Sequence, residues 1–398
     1  MAAAPVVAIE VGTTKVVAVV GEMRDDGRLL FNGLGEHASK GVRKGEVIDL
    51  ANAIVCMRGA LQAAEDSGQV TIREAHIALS GAHIQSQVTR GSIRVANPHE
   101  ITRDDIEQVM DLARAINLPP DREVIHTICQ YFRIDDQKFV ANPEGLAGAK
   151  LSLDMLALHG VRTRLHNTVK VVESVPMDVA DVAFSGLCAA LAVLTPEQKE
   201  AGVIVIDIGG GTTDFVAYVG KSLAIASSLS VGGDHVTNDI SLAFSVSMRQ
   251  AESLKTETGS AVIEKAAPEL TVELPPETGF SGRSVGVSAL HAVINARMDE
   301  VFRMVKAQLG QFDLQHQIGA GVVLTGGGAR MKGIVELAEE VFGLPCMVGR
   351  PVDADGITAL LDGPEYAAPV GMIRYGLRSV EHRTSSGFGG FISKIFKR

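Results

Sequence analysis

The chain is 398 residues long, 46 % hydrophobic, and carries a net charge of −10 at neutral pH. That length allows two or three domains around large cores, and no apolar tract reaches the ~18 residues of a membrane-spanning helix. The acidic balance, the absence of tryptophan and a 4 % aromatic content exclude bulk nucleic-acid binding, which needs a basic face and stacking rings. Cys56, Cys129, Cys188 and Cys346 are scattered without Cys-x-x-Cys spacing. They read as reduced, mostly buried thiols of a cytoplasmic protein, with no metal site among them.

No basic segment precedes the first apolar stretch, so the N-terminus reads as a strand and not as a signal peptide. That strand runs through Val6-Val7-Ala8-Ile9 into Glu10-Val11-Gly12-Thr13-Thr14. An acidic residue, a glycine turn and hydroxyl residues between two apolar strands describe a β-hairpin with a bare backbone tip. Such a tip cradles phosphates, and the carboxylate beside it holds a hydrated Mg²⁺. The opening strands are expected to run to about Ile84.

A segment from Ile84 to about Thr163 interrupts this first half. Its helix starts at Thr102-Arg103-Asp104-Asp105, a capping box with Asp in place of Glu. Apolar residues follow at Ile106, Val109, Met110, Ala113 and Ile116, and the Pro119-Pro120 pair ends the helix. A strand-rich stretch from Glu123 to Leu158 completes the segment. On pattern it reads equally as a stabilising appendage or as a docking module.

The hairpin pattern then recurs. Val203-Ile204-Val205 leads into Ile206-Asp207-Ile208-Gly209-Gly210-Gly211-Thr212-Thr213-Asp214. Either copy alone reads as well as a ligand-free glycine hairpin; two in register imply one nucleotide gripped from both sides. The residues from Glu252 to Val305 read as a smaller helical and loop-rich subdomain. A third cluster, Val322-Val323-Leu324-Thr325-Gly326-Gly327-Gly328-Ala329, is a strand entering a glycine turn. The helix expected after it has Ile334, Leu337, Ala338, Val341 and Phe342 on one face. Glycines there let the backbone approach an adenosine closely.

The stretch from Ser379 reads as a polar linker. Beyond it, Phe388, Phe391, Ile392, Ile395 and Phe396 form one helical stripe, flanked by Lys394, Lys397 and Arg398. Too short to span a bilayer, this segment suits lying in an anionic membrane surface; the bland alternative is a helix docked on the body.

The three glycine loops, in this order, resemble the set used by actin-like ATPases; no Gly-x4-Gly-Lys-Ser/Thr loop is present. Further motifs resemble the FtsA family of bacterial cell-division proteins along nearly the whole chain. They are Gly41-Val42-Arg43-Lys44-Gly45 through Ile48-Asp49, Ser80-Gly81-Ala82-His83-Ile84, Asn142-Pro143-Glu144-Gly145-Leu146-Ala147-Gly148, Ala251-Glu252-Ser253-Leu254-Lys255 and Pro369-Val370-Gly371-Met372. The amphipathic tail is similar to that family's membrane-targeting sequence.

The resemblance implies an α/β, actin-like fold of two duplicated ribonuclease-H-like halves. Its divisions here would be 1–83, the inserted subdomain 1C at 84–163, 164–200, the second half at 201–245, a small subdomain 2B at 246–308, 309–358, a return to the first half at 359–378, a linker at 379–386 and the membrane helix at 387–398. ATP and Mg²⁺ would be held by Gly12, Thr13, Thr14, Lys15, Gly209, Gly210, Gly211, Thr212, Thr213, Glu252, Lys255 and Gly326 to Gly328, with Glu10 and Asp207 on the metal through water. Glu10 departs from the Asp of many relatives. Ser185 stands where active hydrolases carry a water-orienting Glu or Gln, so turnover would be slow and ATP a structural or assembly switch. The resemblance further implies that Arg297, with Arg303 and Lys306, receives the C-terminal peptide of FtsZ. It implies self-assembly into filaments, late division proteins on the insertion, and a peripheral position on the inner membrane face at the division site. The alternatives are a pilus-assembly ATP-binding protein of the same superfamily and a small-molecule kinase on the same fold.

Overall fold

The computed structural model describes residues 5–24, 29–135, 137–263, 270–312, 314–351 and 354–384. Two sheets of the same design form its body. In the first, strand Val6–Val11 pairs antiparallel with Lys15–Met23, which pairs antiparallel with Leu29–Ala38. On its other side Val6–Val11 pairs parallel with Glu74–Leu79, and that strand pairs parallel with Asp178–Phe184. The second sheet repeats this pattern. Val203–Ile208 has Thr213–Val219 and Ser222–Leu229 antiparallel on one side, and Val322–Thr325 and Cys346–Val348 parallel on the other. The duplicated hairpins of the sequence are thus the central hairpins of two equivalent sheets.

Both first strands are dominated by Val and Ile, and all of Val203–Ile208 is buried, as expected where helices cover both sheet faces. One apolar core fills the first half and continues onto one face of the second sheet at Val203, Val205, Val216 and Val323, a second lies within the second half, and the insertion has a third. The chain returns to the first half at the strand Ala354–Gly356, parallel to Leu29–Ala38 at the edge of the first sheet, and then in the helix Ala367–Thr384, which packs along Ser185–Val193. Contact is intimate: a Cβ on Gly371 would stand 1.7 Å from the Cys188 carbonyl oxygen.

The insertion is a four-stranded sheet ordered Gln85–Arg94, Lys150–Val161, Arg122–Ile134, Gln137–Val140, with the helix Arg103–Arg114 on it. Thr102 and Asp105 form the expected capping box. The helix ends at Arg114, however, and Ile116 lies beyond it, before the proline pair. At the junction Val161 N–H donates to His83 Nδ1 at 3.2 Å, while Arg122 donates to His159 Nδ1 and to the His83 carbonyl at 2.8 and 2.6 Å.

The insertion also reaches both main sheets at edge strands. His126 Nε2 accepts the Phe184 N–H at 3.1 Å. Across the second half, Ser86 Oγ accepts the Ala226 N–H at 3.1 Å, Gln130 Nε2 donates to the Leu223 carbonyl at 2.8 Å, and Ser222 Oγ donates to the Gln130 carbonyl at 2.6 Å.

Three elements differ from the sequence reading. Residues Leu50–Gly68 form a long helix, N-capped by Asp49, among the opening strands. The region from 246 to 308 contains the hairpin Thr271–Leu274 and Arg283–Gly286 before its helix Val287–Gly310. The last helix continues through Thr384, because no Gly or Pro interrupts 377–384, so only Ser385 and Ser386 remain of the expected linker. The stripe at 387–398 lies outside the described residues, and no helix among those described is long and apolar enough to cross a membrane.

Candidate nucleotide-binding cleft

The two hairpin tips have the same construction. Gly12 N–H donates to the Lys15 carbonyl at 3.1 Å, and Gly209 N–H donates to the Thr212 carbonyl at 2.9 Å. The tips face one another: a Cβ on Gly210 would stand 2.0 Å from Thr14 Oγ1, and one on Gly211 2.5 Å from Thr13 Oγ1. Any side chain there would push the halves apart, so the sequence keeps glycine where two backbones converge. Thr13 Oγ1 also accepts the Gly45 N–H at 3.1 Å.

Beneath the tips lie three carboxylates, Asp207 and Asp214 buried and Glu10 half-buried. Glu10 comes from the first half, Asp207 and Asp214 from the second, where the two aspartates are direct cross-strand partners. Like charges in that position repel. Burial pushes the Glu10 carboxyl up to about 7, partly offset by Lys15 and added to by Asp214. Burial, then Glu10 and Asp214, raise Asp207 well above the carboxylate range. Asp214 is raised by burial to about 6 despite hydrogen bonds from Ser228 and Ser80. Lys15, the cation facing Glu10, is paired with Glu36 and sits 4.1 Å over the Tyr366 ring centroid.

Three clustered acids, two of them buried, faced by the single cation Lys15 fit a divalent cation, whose field would restore their ionised forms. Among the described residues no group of three or more His, Cys, Asp or Glu side chains makes a ready metal cage. The fit is therefore to an ion that keeps its own waters.

The third loop closes the floor. Gly326, at φ +79°, lies so near Asp207 that a Cβ would be 2.2 Å from its Oδ1; only glycine meets both demands. Its N–H donates to the Pro364 carbonyl at 3.0 Å. Gly327 and Gly328 begin a short 3₁₀ turn before the expected helix Ile334–Phe342, and Gly327 faces open space. Glu252 lies in the last turn of the helix Met248–Ser253, and Lys255 sits in the π-helical turn Leu254–Thr258 that follows. Lys255 Nζ donates to Glu252 at 2.7 Å, to Thr237 Oγ1 at 2.8 Å and to the Gly233 carbonyl at 3.2 Å. Gly233 N–H in turn donates to the Gly209 carbonyl at 2.9 Å, linking this pair to the second loop.

Ser185 opens the helix Ser185–Val193 and is buried. The next residue, Gly186, lies against Asp214, with a Cβ position 3.2 Å from the Asp214 Cβ. Two residues of the cleft lacked an assigned role in the sequence. Asp214 closes the second motif and is the obvious third acid. Ser80 is less legible: its Oγ donates to Asp214 Oδ1 at 2.9 Å and shares a hydrogen bond with the Thr212 hydroxyl at 3.0 Å, joining the halves.

The three basic residues sit on the helix Val287–Gly310. Arg297 is paired with Asp239 at 2.6 Å and with Glu300. Arg303 is paired with Asp299 at 2.6 Å, and Lys306 Nζ donates to the Val341 carbonyl at 2.6 Å. All three are engaged within the chain.

Twin sheets joined across facing glycine loops, with a domain inserted in the first half, define an actin-like fold. Solved structures share it. The chain is similar to the PilM-PilN type IV pilus biogenesis complex, at TM-score 0.65, 15 % identity, and coverage of 94 % of this chain and 98 % of that one. It is also similar to MreB5 of Spiroplasma citri bound to ADP, at TM-score 0.57, 12 % identity, and coverage of 96 % and 99 %. The family model for cell division protein FtsA matches residues 204–371, and that for the SHS2 domain inserted in FtsA matches 81–159. The cell division protein FtsA of Pseudomonas aeruginosa is 34 % identical over 385 residues, covering 97 % of this chain and 92 % of its own. That of Escherichia coli K12 is 33 % identical over 404 aligned positions, covering 98 % and 96 %. The chain belongs to the FtsA family of cell-division proteins.

Proposed function

We propose that the chain binds ATP–Mg²⁺ between its halves, assembles into filaments, and ties FtsZ filaments to the inner face of the membrane at the division site. The observation that carries the nucleotide reading is the carboxylate trio of buried Asp207 and Asp214 and half-buried Glu10 under two facing glycine tips. Gly12, Thr13, Thr14 and Gly209 to Thr213 would take the phosphates, with Glu10 and Asp207 holding the metal through its waters. Lys15 would face the phosphates. Glu252 and Lys255 would border the ribose and base, and Gly326 to Gly328 the adenosine. The ion would supply the positive field that the acids lack. Ser185 offers a hydroxyl and no base, which supports slow turnover.

The acidic C-terminal peptide of FtsZ is assigned to the helix bearing Arg297, Arg303 and Lys306. An arriving carboxylate there has to compete with Asp239 and Glu300 for Arg297. Late division proteins are assigned to the insertion, and the anionic membrane to the stripe Phe388 to Arg398. Curated relatives at about a third identity favour this reading over the pilus-assembly alternative, whose solved representative shares the fold alone.

Calorimetric titration with ATP and Mg²⁺ tests the central assignment. Asp207→Ala should weaken Mg²⁺-dependent affinity about tenfold or more and reduce assembly. Unchanged affinity and assembly would remove Asp207 from the site.

A further inference from the structure

Cations gather at the end of the body remote from the glycine loops. Lys199, on the short helix Pro196–Ala201, holds its Nζ 5.1 Å from the Tyr218 ring centroid. Arg374 Nη1 donates to the Leu191 carbonyl at 2.9 Å and the Ala192 carbonyl at 3.4 Å, at the end of the helix that leads to Lys199. Arg378 is exposed one turn further along the last helix, on the same face as Arg374. Burial, followed by Arg378 and Arg374, lowers the Lys199 ammonium to about 8. Lys221 N–H donates to the Lys199 carbonyl at 3.0 Å, and its ammonium is paired with Glu200 at 3.1 Å. Glu197 lies in the first turn of the Lys199 helix. Among the described residues neither Lys199 nor Arg378 has an ion-pair partner.

The chain leaves the body at this same end. Strand Thr213–Val219 starts at the second glycine loop and runs towards Lys221. The helix Ser185–Val193 starts beside Asp214 and ends at Arg374. The last helix runs alongside it in the same direction, Gly371 against Cys188 and Arg374 against Leu191. It continues to Thr384, roughly 9 Å beyond Arg378 at ~1.5 Å per residue. Ser385 and Ser386 span at most about 7 Å more before the amphipathic stripe begins. A tether this short keeps the exit face within a few Debye lengths of whatever holds the stripe.

We propose that Lys199, Arg374 and Arg378 form a second membrane contact, on the body itself, for the anionic phospholipid headgroups around the inserted tail. The proposal rests on the tail reading given above. Charge complementarity selects the occupant: three clustered cations on a chain of net charge −10, held beside a negative surface. Arg374 stays anchored on the helix carbonyls and Lys199 over the Tyr218 ring, while exposed Arg378 supplies adaptable charge. The contact gives the body one orientation on the bilayer, with the glycine loops pointing away from it.

Full-length protein is co-sedimented with phosphatidylcholine vesicles, with and without phosphatidylglycerol. The double variant Lys199→Gln/Arg378→Gln should bind the anionic vesicles about 25-fold more weakly, at roughly fivefold for each charge near the surface. Its weaker binding to neutral vesicles should match the wild type. Equal affinity of variant and wild type for anionic vesicles would overturn the contact. Phe391→Glu separates the two failures. If it releases the protein while the double variant binds fully, the body contact is lost and the tail stands; if it binds fully, the tail reading itself falls. Displacement of wild type from the vesicles by inorganic phosphate, with the double variant insensitive, would assign the cations to a soluble anion and also overturn the proposal.

Discussion

His126 carries its burial as a dependence on acid. Its ring is fully buried, accepts the Phe184 N–H, and meets Tyr375 edge-on at 5.6 Å. Burial lowers its pKa from 6.5 to about 4. The unfolded chain therefore binds a proton below pH ~6.5 that the folded one refuses until about 4. The stabilisation is complete above 6.5 and is lost as pH falls through that window, by up to ~3 kcal/mol. His126→Gln, which keeps an acceptor and cannot ionise, should flatten the fall in urea midpoint between pH 6.5 and 4. An unchanged acid slope would place the acid sensitivity on other groups, His83 first, which burial also lowers to about 4. The cleft teaches a related lesson about what single residues disclose. Glu10 and Asp207 were legible because each ends an apolar strand before a glycine turn. The role of Ser80 was not, since its partners Thr212 and Asp214 are brought to it only by folding.

Elements were legible where local chemistry sets them. The capping box at Thr102, the helix after Gly328 and both hairpins have their signals within a few residues. The helix Leu50–Gly68 was obscured because its alanine-rich sequence shows only a weak apolar stripe, although Asp49 caps it through the Asn52 N–H at 3.1 Å. The end of the helix at Arg114 precedes Pro119-Pro120, so the prolines bar a continuation that had already stopped. The packing of the last helix on Ser185–Val193 was also invisible locally, because Gly371 is small for the sake of Cys188 far back in sequence. Gly371→Ala should force these helices apart and destabilise the fold by about 3 kcal/mol, the upper end of ordinary overpacking, read as a lower urea midpoint. A change below ~0.5 kcal/mol would show that the helix pair relaxes freely.

At the scale of the whole molecule, the repeated order of the two sheets followed from the repeated motif, since each copy builds the same central hairpin. The insertion's reach did not follow, because its bonds to Ser222, Leu223 and Ala226 join surfaces remote in sequence. These bonds tie it to the second half, as the bond from the Phe184 N–H to His126 ties it to the first. Gln130→Ala removes the one to Leu223, a loss of about 1 kcal/mol. Amides of the strand Ser222–Leu229 should then exchange roughly fivefold faster by mass spectrometry. Exchange at the wild-type rate would mean that the strand is held by its own sheet alone.

The insertion leaves and rejoins the first half at neighbouring points, with Gln85 opposite His159 across one strand pair. By connectivity it is a graft that a short turn could replace. By chemistry it is a guard. Phe184 and Ala226 belong to outermost strands of the two main sheets, and their N–H groups end on His126 and Ser86 of the insertion. Cutting it away would bare one raw border on each sheet, the kind of surface that recruits foreign strands. A core trimmed to its two halves would thus keep its fold's wiring and lose its protection against sticking to itself.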